Sequence, residues 1–366
     1  MNRTHSIRLG LAALGLAVAF AGTSCKKKKE ESGDKAAKAQ EADKEEKKQE
    51  AKSPVAKARE KTDAFGQLPE SFPSEDNPIT EEKVNLGRKL YYETRLSKAD
   101  DVSCNTCHLL DEYGVDHKPV STGHKNRKGP RNAPTVYNAA GHIAQFWDGR
   151  AADVEEQAKG PVLNLKEMGI PENEVVEKRL NGIDGYKKEF AEAFPEADNP
   201  VSFDNMAKAI GAFERKLVTP APWDEFLAGK DDAISTEAVK GFNTFTEVGC
   251  DTCHNGELLG GNMYQKLGLV EEWPNQEDQG RYEVTEKEAD KMKFKVPSLR
   301  NITKTGPYFH SGDVEKLDEA VRMMAKHQLG KDLNDKQVDQ IIAFLESLTG
   351  EIPTDYIEKP ELPKAG

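Results

Sequence analysis

The pentapeptide Cys-x-x-Cys-His occurs twice in this chain, at residues 104–108 and 250–254. In each copy two thiols stand three residues apart and an imidazole follows directly. This spacing is typical of covalent haem c attachment, in which the cysteines form thioether bonds to the porphyrin and the histidine becomes an axial iron ligand. The two copies predict two haem c groups, held by Cys104, Cys107, His108, Cys250, Cys253 and His254.

Paired cysteines also have other uses. A zinc site would use both pairs together, and a redox-active disulfide would need only one pair. Neither use explains why both motifs end in histidine. The fifth cysteine, Cys25, stands alone in a different context, so the cysteine pattern does not indicate a disulfide framework either.

The first residues have the pattern of an export signal. Residues 1–21 contain two arginines followed by an apolar run that is too short to span a membrane stably. Cleavage after Ala21 is one possible outcome, and acylation of Cys25 as the first residue of a lipoprotein is the other. We favour the second, with residues 1–25 as the signal. Bacterial haem c is attached after export, so we expect a periplasmic protein with a lipid anchor through Cys25.

A charged segment follows the signal. Residues 26–63 hold 13 Lys or Arg and 10 Asp or Glu, with almost no large apolar side chain. Such a segment cannot bury a core, and it predicts a disordered, solvated tether. The whole chain has a net charge of −12, and the part after the net-positive tether is more acidic still. An acidic surface disfavours nucleic acid as a partner.

The remaining residues show helical rather than strand periodicity. Apolar residues recur every three or four positions, and Ser202, Asn334 and Gly350 are expected to cap or stop helices. The three apolar stripes are Met206, Ile210, Phe213 and Leu217, then Leu317, Ala320, Val321 and Met324, then Val338, Ile341, Ile342, Leu345 and Leu348.

Long loops separate the predicted helices, at 112–135 and 255–310. Loops of this length commonly form the walls of a cofactor site. Pro220 and Pro222 mark a hinge between an N-terminal haem domain, 64–218, and a C-terminal haem domain, 219–366. Each domain then contains one haem motif.

The loops carry the pattern of a known family. The segments GPRNAPT at 129–135, QFWDGR at 145–150, EEQAKGP at 155–161, PSLRN at 297–301 and PYFHSG at 307–312 resemble the bacterial di-haem cytochrome c peroxidases. The likeness covers residues 64–350 in family order. It implies a mostly α fold with two cytochrome c-like haem domains, whose haems face a shared interface.

The resemblance also implies an activity. The N-terminal haem would reduce hydrogen peroxide to water, with electrons from a small cytochrome c or a copper protein entering at the C-terminal haem. Thioether ligation raises the reduction potential of a haem and a second histidine lowers it, so a His/Met haem suits electron acceptance. Members of the family commonly form homodimers, and we expect one here.

The second ligand of the C-terminal haem is expected to be Met324, by its distance from His310 in the family pattern. Met323 and Met263 offer the same chemistry. Methionine on an apolar helical stripe is also more often core than ligand. The family pattern therefore carries this assignment.

The displaceable second ligand of the N-terminal haem is expected to be His124, in Thr-Gly-His before the GPRNAPT segment. His117 and His142 are the alternatives, the first read as an exposed loop histidine and the second as packed or solvated. His310 and His327 are expected to have structural or surface roles.

Other site residues also follow from the resemblance. Glu167 matches the catalytic carboxylate that moves a proton between the peroxide oxygens, and Gln157 matches the amide that hydrogen-bonds the bound oxygen. Trp147 matches a tryptophan between the haems, where a large aromatic would also suit a packed interface. A calcium site with oxygen ligands is expected at Asn132, Thr305 and Pro307.

Two rival functions were weighed. A related di-haem enzyme, which matures a tryptophan-derived cofactor on a partner protein, uses tyrosine as its distal ligand, whereas this chain has Met324 and His124. A plain di-haem electron carrier would leave Glu167 and Gln157 without a role. Relatives that need prior reduction and relatives that do not both exist, and the sequence is compatible with either mode.

Overall fold

Residues 52–364 are described by a computed structural model. The predicted signal with Cys25 and residues 26–51 of the predicted tether lie outside the described residues. The helices are α1 Pro54–Arg59, α2 Glu81–Tyr91, α3 Cys104–Cys107, α4 Val154–Leu163, α5 Asn173–Asn181, α6 Asp184–Ala193, α7 Phe203–Glu214, α8 Pro222–Leu227, α9 Thr236–Val248, α10 Tyr282–Thr285, α11 Leu317–Leu329, α12 Asp335–Glu346 and α13 Thr354–Ile357.

The predicted mostly α architecture is confirmed. One antiparallel pair of three-residue strands, β1 Tyr264–Lys266 and β2 Lys293–Lys295, is the whole sheet content of residues 52–364, with Gln265 opposite Phe294. No helix in this part of the chain is both long and apolar enough to cross a bilayer. Most of the remaining chain is loop, as the two long Gly- and Pro-containing stretches predicted.

The predicted helix starts are also confirmed. The Ser202 side chain accepts a hydrogen bond from the backbone N–H of Asn205 at 3.2 Å. Asn334 and Gln337 exchange side-chain-to-backbone bonds of 3.0 and 3.1 Å, which is a reciprocal N-terminal cap. The predicted stop at Gly350 is wrong, because α12 already ends at Glu346.

Each half of the chain is organised around one close pair of helices. Gly87 of α2 lies so near α7 that an added Cβ would stand 1.9 Å from the carbonyl oxygen of Ala209. Gly241 of α9 lies equally near α12, at 1.9 Å from the carbonyl oxygen of Gln340. Because glycine has no side chain, Gly87 and Gly241 allow the two helices of each pair to pack closely.

These helix pairs lie within two buried apolar clusters. The first is built mainly from α2, α4, α5, α6 and α7, and the second from α1, α8, α9, α11 and α12. The clusters change over between Leu217 and Trp223, close to the predicted hinge, where Pro222 begins α8. The terminal segments, however, do not follow the predicted division.

The predicted end of the tether at residue 63 is wrong. Ser53 caps α1, and Ala58 is fully buried against the second cluster. Arg59 binds the carbonyl oxygen of Phe226 and its guanidinium lies 3.9 Å from the centroid of that ring. The charge density of residues 52–63 concealed a short apolar helix face, and the charged residues pair with the folded lobe instead of remaining solvated.

The end of the chain crosses to the other lobe. Tyr356 stacks on Phe213 with ring centroids 5.1 Å apart, and Ile357 belongs to the first cluster. The Tyr92 hydroxyl donates to the carbonyl oxygen of Ile357 at 2.6 Å. The sequence predicted that the residues after α12 belong to the C-terminal domain. They pack instead on the N-terminal half of the chain.

A shared hydroxyl joins the two halves. Thr219 is fully buried, and its Oγ1 accepts hydrogen bonds from the side-chain amides of Asn138 at 2.9 Å and Asn301 at 2.8 Å. Both asparagines have φ of +61°. Asn138 Oδ1 in turn accepts from the Thr219 N–H, and Asn301 Oδ1 accepts from the Gly350 N–H. One residue thus fixes a loop from each half.

We expect Thr219→Val to lower the free energy of unfolding by about 1–3 kcal/mol for each amide that loses its acceptor. Thr219→Ser retains the hydroxyl and should remain within about 1 kcal/mol of the native protein. Denaturant unfolding of the holoprotein, followed by circular dichroism, measures both changes. Equal stability of the two variants would show that the hydroxyl does not join the halves.

Candidate functional site

Both haem motifs hold their histidine in the same way. His108 Nδ1 lies 3.3 Å from the carbonyl oxygen of Gly114, and His254 Nδ1 lies 3.1 Å from that of Leu259. A carbonyl can only accept, so Nδ1 carries the proton in each ring and Nε2 is left as the metal-binding nitrogen. Burial lowers the pKa of both histidines, which favours the neutral form that a metal requires.

The cysteines of the motifs remain available. Cys104, Cys107, Cys250 and Cys253 form no disulfide within residues 52–364. The same residues contain no cluster of three or more His, Cys, Asp or Glu side chains that could hold a metal ion. Neither a zinc site built from both pairs nor a redox disulfide is supported.

The C-terminal motif opens on a large, mostly apolar cavity. Cys250, Cys253 and His254 line it together with Met324, which comes from α11. Met263 and Met323 do not line it, so of the three methionines considered Met324 is the one that shares the cavity with His254. Two cysteines, an imidazole and a thioether in an apolar enclosure fit a covalently attached haem.

The N-terminal motif lies beside the predicted peroxide residues. Cys107 is close to Ser121 and Glu167, and burial together with the charge of Glu167 raises the pKa of its thiol. The backbone N–H of His124 donates to the carbonyl oxygen of Glu167 at 2.6 Å. Gly169 has φ of +77°, and a Cβ there would stand 2.9 Å from His124 Cδ2. The fold therefore assembles His124, Glu167 and Cys107, the last residue of α3, from three separate chain segments.

His124 is suited to a partner that the polypeptide does not supply. Its side chain is buried, and Nδ1 has no hydrogen-bond partner within the described chain. A buried ring nitrogen without a partner is costly in a polypeptide alone. By contrast, His117 is 46% exposed and binds the carbonyl oxygen of Gly306, as expected for a loop histidine.

Glu167 has the properties of a proton carrier. Burial raises the pKa of this carboxyl group, while the charge of Arg150 and a hydrogen bond from Asn164 hold the rise in check. The Asn164 amide donates to Glu167 Oε1 at 2.7 Å. A carboxylate with a raised pKa can take up and release a proton nearer to neutral pH. Gln157 is half-buried on α4 in the same half of the chain.

The predicted calcium residues are all part of the wall of the C-terminal cavity. Asn132, Thr305 and Pro307 all line it, and so does Trp147. Asn132 donates its amide to the carbonyl oxygen of Lys118, which leaves Oδ1 for a cation. Trp147 Nε1 donates to the carbonyl oxygen of Asn132 at 3.0 Å, so the tryptophan and this wall are tied together.

The other histidines occupy buried positions. His310 lines the same cavity, stacks on Phe294 with centroids 4.3 Å apart, and lies edge-on to Trp147 at 6.4 Å. His327 is buried, with Nδ1 3.2 Å from the carbonyl oxygen of Glu271. Both histidines are buried, so neither has the surface role that was the alternative, and a structural role stays a prediction.

Sequence reasoning missed one feature of the cavity. His142 was weighed as a ligand of the N-terminal haem, but it lines the C-terminal cavity and contacts Lys295. Lys295 itself was not selected. It ends the three-residue strand Lys293–Lys295, and only its burial in the fold distinguishes it from the more exposed Lys293.

Comparison with known proteins agrees with this arrangement. The sequence model of the di-haem cytochrome c peroxidase family matches residues 81–232. The cytochrome c551 peroxidase of Pseudomonas aeruginosa is 45% identical over 323 residues, covering 85% of this chain and 92% of the relative. That of Nitrosomonas europaea is 42% identical, covering 75% and 82%. A crystal structure of a MauG-like protein associated with microbial copper homeostasis superposes with a TM-score of 0.72 at 27% identity, covering 81% of this chain and 98% of that one.

Proposed function

This chain belongs to the di-haem cytochrome c peroxidase family, and we propose that its N-terminal site reduces hydrogen peroxide with electrons that enter at its C-terminal site. The relatives that define the family cover most of this chain, so two haem c groups and peroxidase activity follow from membership. The finer division of labour between the sites is our proposal. Its main support is Glu167, which is half-buried beside His124 and Cys107.

The chain's residues suit this division. Cys104, Cys107 and His108 would hold the N-terminal haem, with His124 as its displaceable ligand. Cys250, Cys253, His254 and Met324 would hold the C-terminal haem. When bound, the haems supply single-electron transfer, and cleavage of peroxide consumes two electrons.

Glu167 would carry out the proton transfer. It would take the proton from the inner oxygen of peroxide and deliver it to the outer oxygen, which leaves as water when the O–O bond breaks. The inner oxygen would become the second water after it receives two protons and the two electrons that the haems supply. Gln157 would donate a hydrogen bond to the inner oxygen and so hold it in position. The assignment is supported by the partial burial of Glu167, which raises the pKa of its carboxyl group and so favours return of the proton.

His124 would control access. Lys125 in the same segment has φ of +58°, a left-handed conformation that costs an ordinary side chain roughly 1–2 kcal/mol. A rearrangement of the segment would release this strain. Movement of His124 away from its buried position would give peroxide access to the site. The presence of His124 and Met324 also favours the peroxidase over the cofactor-maturing relative that uses tyrosine.

The donor and the cellular setting complete the proposal. A small cytochrome c or a copper protein would deliver electrons at the C-terminal site, and a periplasmic location agrees with haem c attachment after export. Lipidation of Cys25 and a homodimer remain predictions.

The activity is tested by oxidation of a pre-reduced small cytochrome c by hydrogen peroxide. Glu167→Gln should lower kcat by about 10²–10⁴-fold, because the amide cannot carry the proton. Glu156→Gln is the matched control, since Glu156 is a nearby carboxylate that is 56% exposed and pairs with Lys159. A Glu167→Gln enzyme with native kcat would favour the electron carrier and return Glu167 to an ordinary loop residue.

The gate is tested with His124→Gly. This variant should turn over peroxide from the fully oxidised state, whereas the native enzyme should require reduction by one electron first. His117→Gly, which alters an exposed histidine of the same loop, should still require reduction. A His124→Gly enzyme that behaved like the native one would show that His124 does not block the site.

We also propose calcium at Asn132, Thr305 and Pro307, supported by their common wall beside Trp147. Calcium would hold together the loops that have to rearrange on reduction. Removal with EGTA should therefore abolish the rise in turnover on reduction, and calcium, unlike magnesium, should restore it. Full activation of calcium-free enzyme would exclude this role.

A further inference from the structure

The C-terminal cavity contains a polar pair that the proposed chemistry does not use. Lys295, the last residue of β2, is 6% exposed, and its Nζ lies 2.8 Å from Nδ1 of His142. Both side chains line the cavity that contains Cys250, His254 and Met324. Within residues 52–364 no carboxylate pairs with this ammonium group, and burial alone lowers the pKa of Lys295, to about 7.

The protonation of Lys295 sets the hydrogen bonding of His142. In its ammonium form Lys295 can only donate, so Nδ1 of His142 accepts and the ring proton lies on Nε2. Nε2 is also buried, and it has no partner in the described chain. In this form the pair presents a positive charge and the Nε2–H donor, and no residue within 52–364 neutralises the charge or accepts from Nε2.

The pair is held by its surroundings. Gly261 has φ of +73°, and a Cβ at this position would stand 2.3 Å from His142 Cδ2. The backbone N–H of Lys295 donates to the carbonyl oxygen of Trp147 at 2.8 Å. A buried ammonium group is stable only when an anion or several acceptors complete it. The cavity is mostly apolar and no carboxylate side chain from residues 52–364 lines it, so we expect the missing acceptor to come with whatever the cavity binds.

We propose that Lys295 and His142 form an anion-binding corner of the C-terminal cavity and hold a carboxylate of the porphyrin bound there. The inference rests on the proposed function only in requiring a haem at Cys250 and Cys253. Porphyrin propionates are carboxylates on an apolar ring, which matches an apolar cavity with one cationic corner. A small free carboxylate would have the same chemistry.

The corner has a consequence for electron transfer. A positive charge near the iron stabilises the reduced state, which carries one positive charge fewer. Lys295 would therefore raise the reduction potential of the C-terminal haem in addition to the effect of Met324. It is a positioning and tuning residue that does not contact peroxide.

The test is a spectroscopic redox titration of the holoenzyme without peroxide. Lys295→Met should shift the reduction equilibrium of the C-terminal haem roughly tenfold toward the oxidised state, which corresponds to about 59 mV. Lys295→Arg retains the charge, so its reduction potential should stay close to that of the native enzyme. The matched control is Lys293→Met on the same strand, where Nζ pairs with Asp290 at 3.1 Å and the side chain is partly exposed.

Two further measurements distinguish the outcomes. A haem carboxylate predicts an altered propionate mode in the resonance Raman spectrum of Lys295→Met and a native potential that is insensitive to added acetate. An acetate-dependent potential that Lys295→Met abolishes would instead assign the corner to a free anion and overturn the proposal. Lys295→Gln serves as the neutral variant if Lys295→Met fails to take up both haems.

The proposal would also be overturned if Lys295→Met or Lys295→Gln took up both haems and still had the native potential and Raman spectrum. This holds whether or not the variant reduces peroxide. Conversely, a native enzyme without peroxide turnover that still showed the Lys295-dependent shift would reject the proposed function and leave the corner intact. The two proposals can therefore fail separately.

Discussion

The hydroxyl of Thr219 fixes the relation between the two halves of this protein. It is the common acceptor for Asn138 and Asn301, each of which begins a loop that runs toward the interface. Because both loops start from one buried point, their next segments meet, and Trp147 of the first loop lies edge-on to His310 of the second.

The two loops are built alike. Phe146 and Phe309 have φ of +66° and +67°, and each is followed three residues later by a glycine with φ of +66° or +65°. Each loop also closes with an antiparallel bridge, Gln145 to Ala151 in one and Tyr308 to Val314 in the other. Together with the paired glycine contacts at the two helix crossings, these features indicate two copies of one haem-binding unit.

The two copies differ where their chemistry differs. At the N-terminal site Glu167 is a half-buried carboxylate with a raised pKa, and the C-terminal cavity contains the buried amine of Lys295 beside His142. In our proposal the first group moves a proton, whereas the second favours an added electron.

Much of this could be predicted from the sequence because the relevant signals are local. Covalent haem attachment requires a fixed spacing, so Cys104 and Cys250 with their neighbours identified both motifs. Apolar periodicity predicted the core helices, and Ser202 and Asn334 marked two of their starts. The family pattern selected Met324, which the structure places on the same cavity as His254.

Only the tertiary structure decided the features that depend on contacts between distant residues. The short helix at 54–59 was hidden by its charge, because burial of Ala58 depends on a surface more than 160 residues away. No short stretch of sequence signals three other features. These are the packing of each terminal segment on the opposite half, the joint at Thr219 and the Lys295–His142 pair. Local sequence determines what a residue can do, whereas burial and partners, which set its pKa and its role, come only from the fold.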